Sequence, residues 1–223
     1  MSRVLRDFKR GIALIKAASR IEPCLPTLAR QPPIGPGWLH EIKHDGFRMM
    51  IQREGSDIGV FTRNGYDWTA RFPLMVAAAT AMAAKAFLID GEAVACDNTG
   101  MAVFDKIRYR RNDASVFLYA FDLLTLNGQD LRREPIEARK IALGRLVRPP
   151  HGGIRLVEHL ELDDGQMIFN HACALGCEGI VSKRVGSRYM SGRSRDWIKV
   201  KNPAAPAVRR LEEENWDGWK KSR

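Results

Sequence analysis

The sequence predicts an α+β domain in which antiparallel β-sheets are flanked by helices. Short strand-like runs and helical runs follow one another irregularly, so the regular β–α alternation of a doubly wound parallel sheet is missing. Turn signals fall at Gly55-Ser56, between two strand-like runs, and at Asn127-Gly128. Hydrophobic residues make up 45% of the 223 positions, which suffices to bury a core in one large domain or two small ones.

Taken in order, residues 1–20 are a basic lead, and the Pro/Gly-rich stretch from Pro23 to Gly37 reads as an ordered or semi-ordered loop, placing the start of the compact region near Trp38. Arg48 to Glu54 and Asp57 to Thr62 read as strands, Pro73 to Ala86 as an Ala-rich helix, and Phe87 to Cys96 as a strand. Val116 to Phe121 is a short apolar strand, and Pro135 to Leu146 a helix with proline at its start. Ile154 to Glu158 is a strand, and Asp164 to Leu175 a helix with an acidic beginning. Gly179 to Lys183 and Trp197 to Val200 complete the strands; neither repeats nor low-complexity tracts occur.

Composition narrows the function classes. No run approaches the ~20 apolar residues of a membrane helix, and Met1 to Arg10 lacks the apolar stretch of a signal peptide, so a cytoplasmic protein with no membrane partner is expected. The four cysteines are too few for a disulfide framework, and Cys173/Cys177 lacks the second Cys/His pair of a zinc site. A formal net charge of +10 favours a nucleic-acid or nucleotide partner, since Lys and Arg that neutralise phosphates release counterions; a solubilising surface is the plainer alternative.

Five phrases carry the chemistry: Glu41-Ile42-Lys43-His44-Asp45-Gly46-Phe47-Arg48, Asp90-Gly91-Glu92, Phe121-Asp122-Leu123-Leu124, Glu178-Gly179-Ile180-Val181-Ser182-Lys183-Arg184 and Trp197-Ile198-Lys199-Val200-Lys201. Singly each has a structural reading: a salt-bridged turn, a core phenylalanine, a solvated strand face. Together and in this order they resemble the covalent nucleotidyltransferases, which comprise DNA ligases, RNA ligases and mRNA capping enzymes and whose signature opens with K-x-D-G-x-R. Gly35-Pro36-Gly37-Trp38 leading into Lys43, and Phe121 through Gly128, are most similar to the ligase domain of bacterial ligase D and its stand-alone ligase C relatives. The resemblance runs from about Leu25 to Asn202. It divides the chain into a basic lead (1–24), an adenylation domain (25–202) and a short charged tail (203–223), and implies the nucleotidyltransferase, ATP-grasp-like fold with a nucleotide pocket between the sheets.

The resemblance implies that Lys43 attacks the α-phosphate of ATP, expels pyrophosphate and becomes a lysyl-AMP phosphoramidate. A free lysine titrates near ~10.4, so burial, the cations Lys199 and Lys201 and a divalent metal must favour the neutral amine. By the same resemblance Arg48 and Arg63 contact ribose or phosphate, Glu92 the ribose or a metal, Phe121 stacks on adenine, and Glu41 lies where the adenine edge is recognised. Glu178 is the first candidate to hold Mg²⁺ or Mn²⁺, because a hard cation takes oxygen ligands and commonly few carboxylates. Lys199 and Lys201 alternate on a strand and so face one side, where they can bracket the α-phosphate, with Trp197 on that side as pocket wall or core. Lys183, Arg193 and Arg195 are candidate phosphate or DNA contacts. Strand parity turns His44 away from Lys43.

Ligases of this type continue past the Trp197 to Lys201 phrase into an OB-fold, and Asn202 to Arg223 is too short for a five-stranded barrel. Three readings stand: a minimal monomeric ligase that seals nicks or broken ends in DNA repair, an adenylation module whose clamp a partner protein supplies, and a nucleic-acid-binding relic without turnover. RNA ligation stays open. GTP-dependent capping is disfavoured by the closer DNA-ligase resemblance, and NAD⁺ by the lack of the N-terminal module that NAD⁺-dependent ligases carry.

Overall fold

The computed structural model describes residues 21–109, 113–148 and 152–208; residues 1–20 of the basic lead and the tail from residue 209 lie outside the described residues. Two sheets face each other. The first has the order β1 (Cys24–Leu28), β11 (Gly192–Lys201), β10 (Gly179–Arg184), β2 (Trp38–Ile42) and β9 (His159–Leu160). The second has the order β4 (Asp57–Thr62), β3 (Phe47–Glu54), β5 (Ala86–Val94), β6 (Phe117–Leu126) and β7 (Gln129–Asp130), with β8 (Ile154–Leu156) beside β6. Pairing is antiparallel except for β1 with β11 and β8 with β6, which are parallel. The helices are α1 (Pro73–Ala81), α2 (Phe104–Arg108), α3 (Ile136–Val147) and α4 (Gly165–Ala174). Together they make the expected mixed fold of antiparallel sheets flanked by helices.

Period-2 alternation assigns the two faces of the second sheet. Met49, Ile51, Val60, Phe87, Ile89 and Leu118 join Phe72, Met75 and Leu143 in a core beneath α1 and α3. Met50, Phe61, Leu88 and Leu124 face the other way and meet Cys24 and Trp197 from the first sheet and Tyr189 from the segment before β11. A smaller cluster of Ile168, Ala172, Cys177 and Ile180 seats α4 on the first sheet. The β3–β4 hairpin turns at Gly55-Ser56, with Glu54 opposite Asp57. Asn127 (φ 47°) and Gly128 (φ 86°) turn β6 into β7, two consecutive positive φ values of the kind a type I′ turn requires.

Several expectations are corrected. The segment read as a Pro/Gly-rich loop contains β1, so the boundary at residue 24 falls inside a strand that pairs with β11. The helix from Pro73 stops at Ala81, where Arg53 donates to the carbonyls of Ala79, Thr80 and Met82 and so satisfies the groups a further turn would use. The strand expected at Val116 to Phe121 runs to Leu126, and the one at Trp197 begins at Gly192. Within the expected charged tail, Ala205, Ala207 and Val208 are buried. All four cysteines are free. No helix among the described residues is long and apolar enough to cross a membrane.

Candidate active site

Between the sheets lies a cavity of about 900 Å³, lined from β1, β2, β3, β5, β6, β10 and β11 and by the loops after β2 and β4. Lys43 follows the end of β2 directly, its backbone N–H bonded to the Gly179 carbonyl at 2.9 Å. Its Nζ donates to Glu178 Oε2 at 2.6 Å. Gly46 in the same loop passes so close to β5 that a Cβ there would lie 2.1 Å from the Ala93 carbonyl oxygen.

Glu41, on β2, is buried and held by Lys140 from α3 and by Lys183 from β10, the latter at 2.7 Å. Burial works to raise its pKa, but the two lysines outweigh burial and hold the carboxyl below its usual range. Lys183 is pushed down to about 8 by burial against the opposing pull of Glu41. Its ammonium lies 4.1 Å from the Trp197 ring and 4.5 Å from the Phe121 ring, between the two aromatic side chains. Glu41 thus draws Lys183, a candidate phosphate or DNA contact, into the lining of the cavity.

Phe121 reaches the cavity because β6 carries a bulge there, Asp90 facing Asp122 and Gly91 facing Ala120, which leaves Phe121 as the extra residue. Asp122 anchors that bulge through Arg139, the two side chains fully buried and paired at 2.7 Å. Arg48 and Glu92 are cross-strand partners lining the same cavity. Burial raises Glu92 to about 7, with Lys43 and Arg48 opposing and Glu178 and Asp90 adding to it. Lys199 is lowered by its partial burial and then by the charges of Lys43 and Lys201.

Arg63, with Asn64 and Tyr66, forms the exposed rim, and Arg193 lines the opposite side. Glu178, Lys201 and Arg195 do not line the cavity; Glu178 is tucked behind Lys43, Lys201 lies beside Lys199, and Arg195 is exposed. His44 does line it, its ring stacked on Tyr119 at 4.0 Å. Strand parity failed for this residue because β2 ends at Ile42 and the loop beyond it re-aims the side chains. Burial pushes the His44 imidazole down to about 4. The motif reading also missed Lys140, Tyr189 and the Arg139–Asp122 pair.

A family model described as "ATP dependent DNA ligase domain" matches residues 17–201. The chain belongs to this DNA ligase family. It is 36% identical over 184 residues to "Multifunctional non-homologous end joining protein LigD" of Pseudomonas aeruginosa, which covers 81% of this chain and 22% of that protein. A "Probable DNA ligase" of Mycobacterium sp. (strain KMS) is 36% identical over 176 residues, covering 73% of this chain and 33% of the relative. The chain thus spans a third or less of these curated relatives. Among solved structures, the ligase domain of M. tuberculosis LigD superposes with a TM-score of 0.72 at 29% identity, over 82% of this chain and 60% of that one. A mycobacterial DNA ligase D complexed with ATP and MES superposes with a TM-score of 0.71 at 29% identity, with the same coverage. The fold of this ligase-family chain is therefore that of the nucleotidyltransferase domain, with the cavity between its sheets.

Proposed function

We propose that this chain carries the adenylation step of an ATP-dependent DNA ligase, with Lys43 as the nucleophile, and that AMP passes from Lys43 to a DNA 5′-phosphate before the nick is sealed in repair. The observation that carries the reading is the position of Lys43 Nζ, 2.6 Å from Glu178 in a nucleotide-sized cavity that also presents Arg48, Glu92, Phe121 and Lys199. Attack forms the Nζ–P bond and breaks the bond from the α-phosphorus to pyrophosphate, while a proton leaves Nζ. The protein's part is alignment and charge neutralisation.

Lys199 and Arg193 face the phosphates, with Lys201 adding its charge from beside Lys199, while Arg48 and Arg63 meet the ribose or phosphate and Glu41 the adenine edge with Phe121 on its face. Among the described residues no group of three or more His, Cys, Asp or Glu side chains could cage a metal. A cation that binds through one or two carboxylates and phosphate oxygens, as Mg²⁺ does, fits Glu178 with Glu92. When bound it supplies positive charge to the triphosphate. Arg195 and the basic rim offer contacts to DNA, and a partner protein supplying a clamp is compatible with them. The setting is a cytoplasmic monomer.

The test incubates the protein with Mg²⁺ and α-labelled ATP and looks for label retained after denaturation. A covalent AMP adduct is expected, and Lys43→Ala is expected to abolish it while leaving the melting temperature within a few degrees. Undiminished label on the Lys43→Ala variant would move the nucleophile elsewhere.

A further inference from the structure

Tyr189 lies outside the five phrases and does not line the cavity, yet its hydroxyl closes a ring of hydrogen bonds that ends on a cavity residue. The side chain is buried, so its hydroxyl must find partners. It donates to Asp90 Oδ2 at 2.6 Å, accepts from the Cys24 N–H at 3.0 Å and lies 3.4 Å from Arg48 Nη2. Asp90 is fully buried and takes Arg48 in a fork, Nε to Oδ1 at 3.0 Å and Nη2 to Oδ2 at 2.5 Å. The ring closes where Arg48 Nη1 donates to the Cys24 carbonyl at 2.6 Å.

Two members, Arg48 and Asp90, belong to the second sheet. Cys24 on β1 belongs to the first, and Tyr189 precedes β11 with its own N–H bonded to the Arg132 carbonyl. The Tyr189 ring is set edge-on against Trp197 at 5.8 Å, so packing fixes where the hydroxyl sits. Arg48 is thus gripped from both sheets at once. A guanidinium held this way loses little freedom on meeting an anionic or hydroxyl ligand, and such pre-organisation appears as affinity.

We infer that Tyr189 is a positioning residue of the nucleotide site, holding the Arg48 guanidinium across the two sheets through Asp90 and Cys24; this rests on the proposed adenylation function. Its loss should weaken ATP binding and leave the chemical step of the bound complex nearly untouched, because Arg48 meets the nucleotide before and during attack alike.

The experiment combines Tyr189→Phe, which keeps the ring packing against Trp197, with Arg48→Lys, which keeps a positive partner for Asp90, in a double-mutant cycle on the full chain. ATP affinity is measured by calorimetry, the rate of adduct formation at saturating ATP with label, and the melting temperature without nucleotide. Tyr189→Phe should raise the dissociation constant about fivefold to tenfold, keep the saturated rate within about twofold, and have an effect of less than about twofold in the Arg48→Lys background. An unchanged dissociation constant, or an equal loss in both backgrounds, overturns the inference while an adduct on the parent protein leaves the proposed function standing. A parent protein that neither binds ATP nor forms the adduct overturns both.

Discussion

Arg139 offers the sharpest stability test because the structure shows what its removal would strand. It gives Asp122 two bonds, Nε to Oδ1 at 2.7 Å and Nη2 to Oδ2 at 2.9 Å, and its Nη1 donates to the carbonyls of Glu134 at 2.7 Å and Ser187 at 2.9 Å. Both charged side chains have 0% exposure. Arg139→Met fills much of the volume but leaves the Asp122 carboxylate buried with the Leu123 N–H as its one remaining hydrogen-bond donor among the described residues. Breaking one side of such a pair costs about 3–5 kcal/mol, a large part of the ~5–15 kcal/mol that holds a domain together. At roughly 2–4 °C per kcal/mol for a chain of this size, the melting temperature should fall by about 6–20 °C. Urea unfolding followed by tryptophan fluorescence reads the loss directly. The double variant Asp122→Leu/Arg139→Met removes both charges and should recover most of it, since apolar replacements of a whole buried pair are often neutral. A single-variant loss under about 1 kcal/mol, or a double variant less stable than the single, would refute the account of Arg139 as the counter-charge of the bulge behind Phe121.

Gly46→Ala forces a Cβ against the Ala93 carbonyl; a loss of roughly 1–3 kcal/mol and slower adduct formation are expected, and wild-type values for both would exclude the clash. Asp164→Ala removes the acceptor of the Met167 N–H at the start of α4, which should cost about 0.5–2 kcal/mol in urea unfolding. The His44 imidazole, at about 4 when folded against 6.5 unfolded, binds fewer protons in the native state across that window. Its contribution to stability is therefore flat above the unfolded value and falls by up to about 3 kcal/mol as pH drops to 4. His44→Phe should remove that slope and keep the stack on Tyr119, and an NMR titration of His44 near 6.5 would contradict its burial. DNA binding should weaken steeply with salt, as counterion release requires, and a flat salt dependence would count against the basic rim as the contact surface.

Local signals in the sequence sufficed for the β3–β4 hairpin, for the turn at Asn127-Gly128 and for α3 and α4, whereas the grouping of Lys43, Arg48, Glu92, Phe121 and Lys199, which line one cavity, came from the family that the ordered phrases resemble. They did not suffice where the partner is remote. β1 was hidden because Pro26 and the neighbouring proline/glycine run read as loop, and a proline is tolerated there because β1 is an edge strand. Lys183 read as a candidate phosphate or DNA contact; only the fold brings Glu41, Phe121 and Trp197 around it. Asp90 did leave a trace. A carboxylate in the middle of the apolar run from Ala86 to Val94 cannot be buried alone, so a cationic partner could have been sought, although nothing local names Tyr189 as its second ligand.

The parallel pairing of β1 with β11 bears on how the chain acquires its site. The second sheet is mostly a meander of successive strands, so its contacts close over short stretches and can form early. Cys24 and Tyr189, by contrast, meet across 165 residues, and the first sheet interleaves strands from both ends of the described chain. During synthesis β1 must therefore wait, an unpaired apolar edge, until β11 leaves the ribosome. The nucleotide pocket is then complete only once β11 has emerged, and ATP arriving before that finds half a binding site.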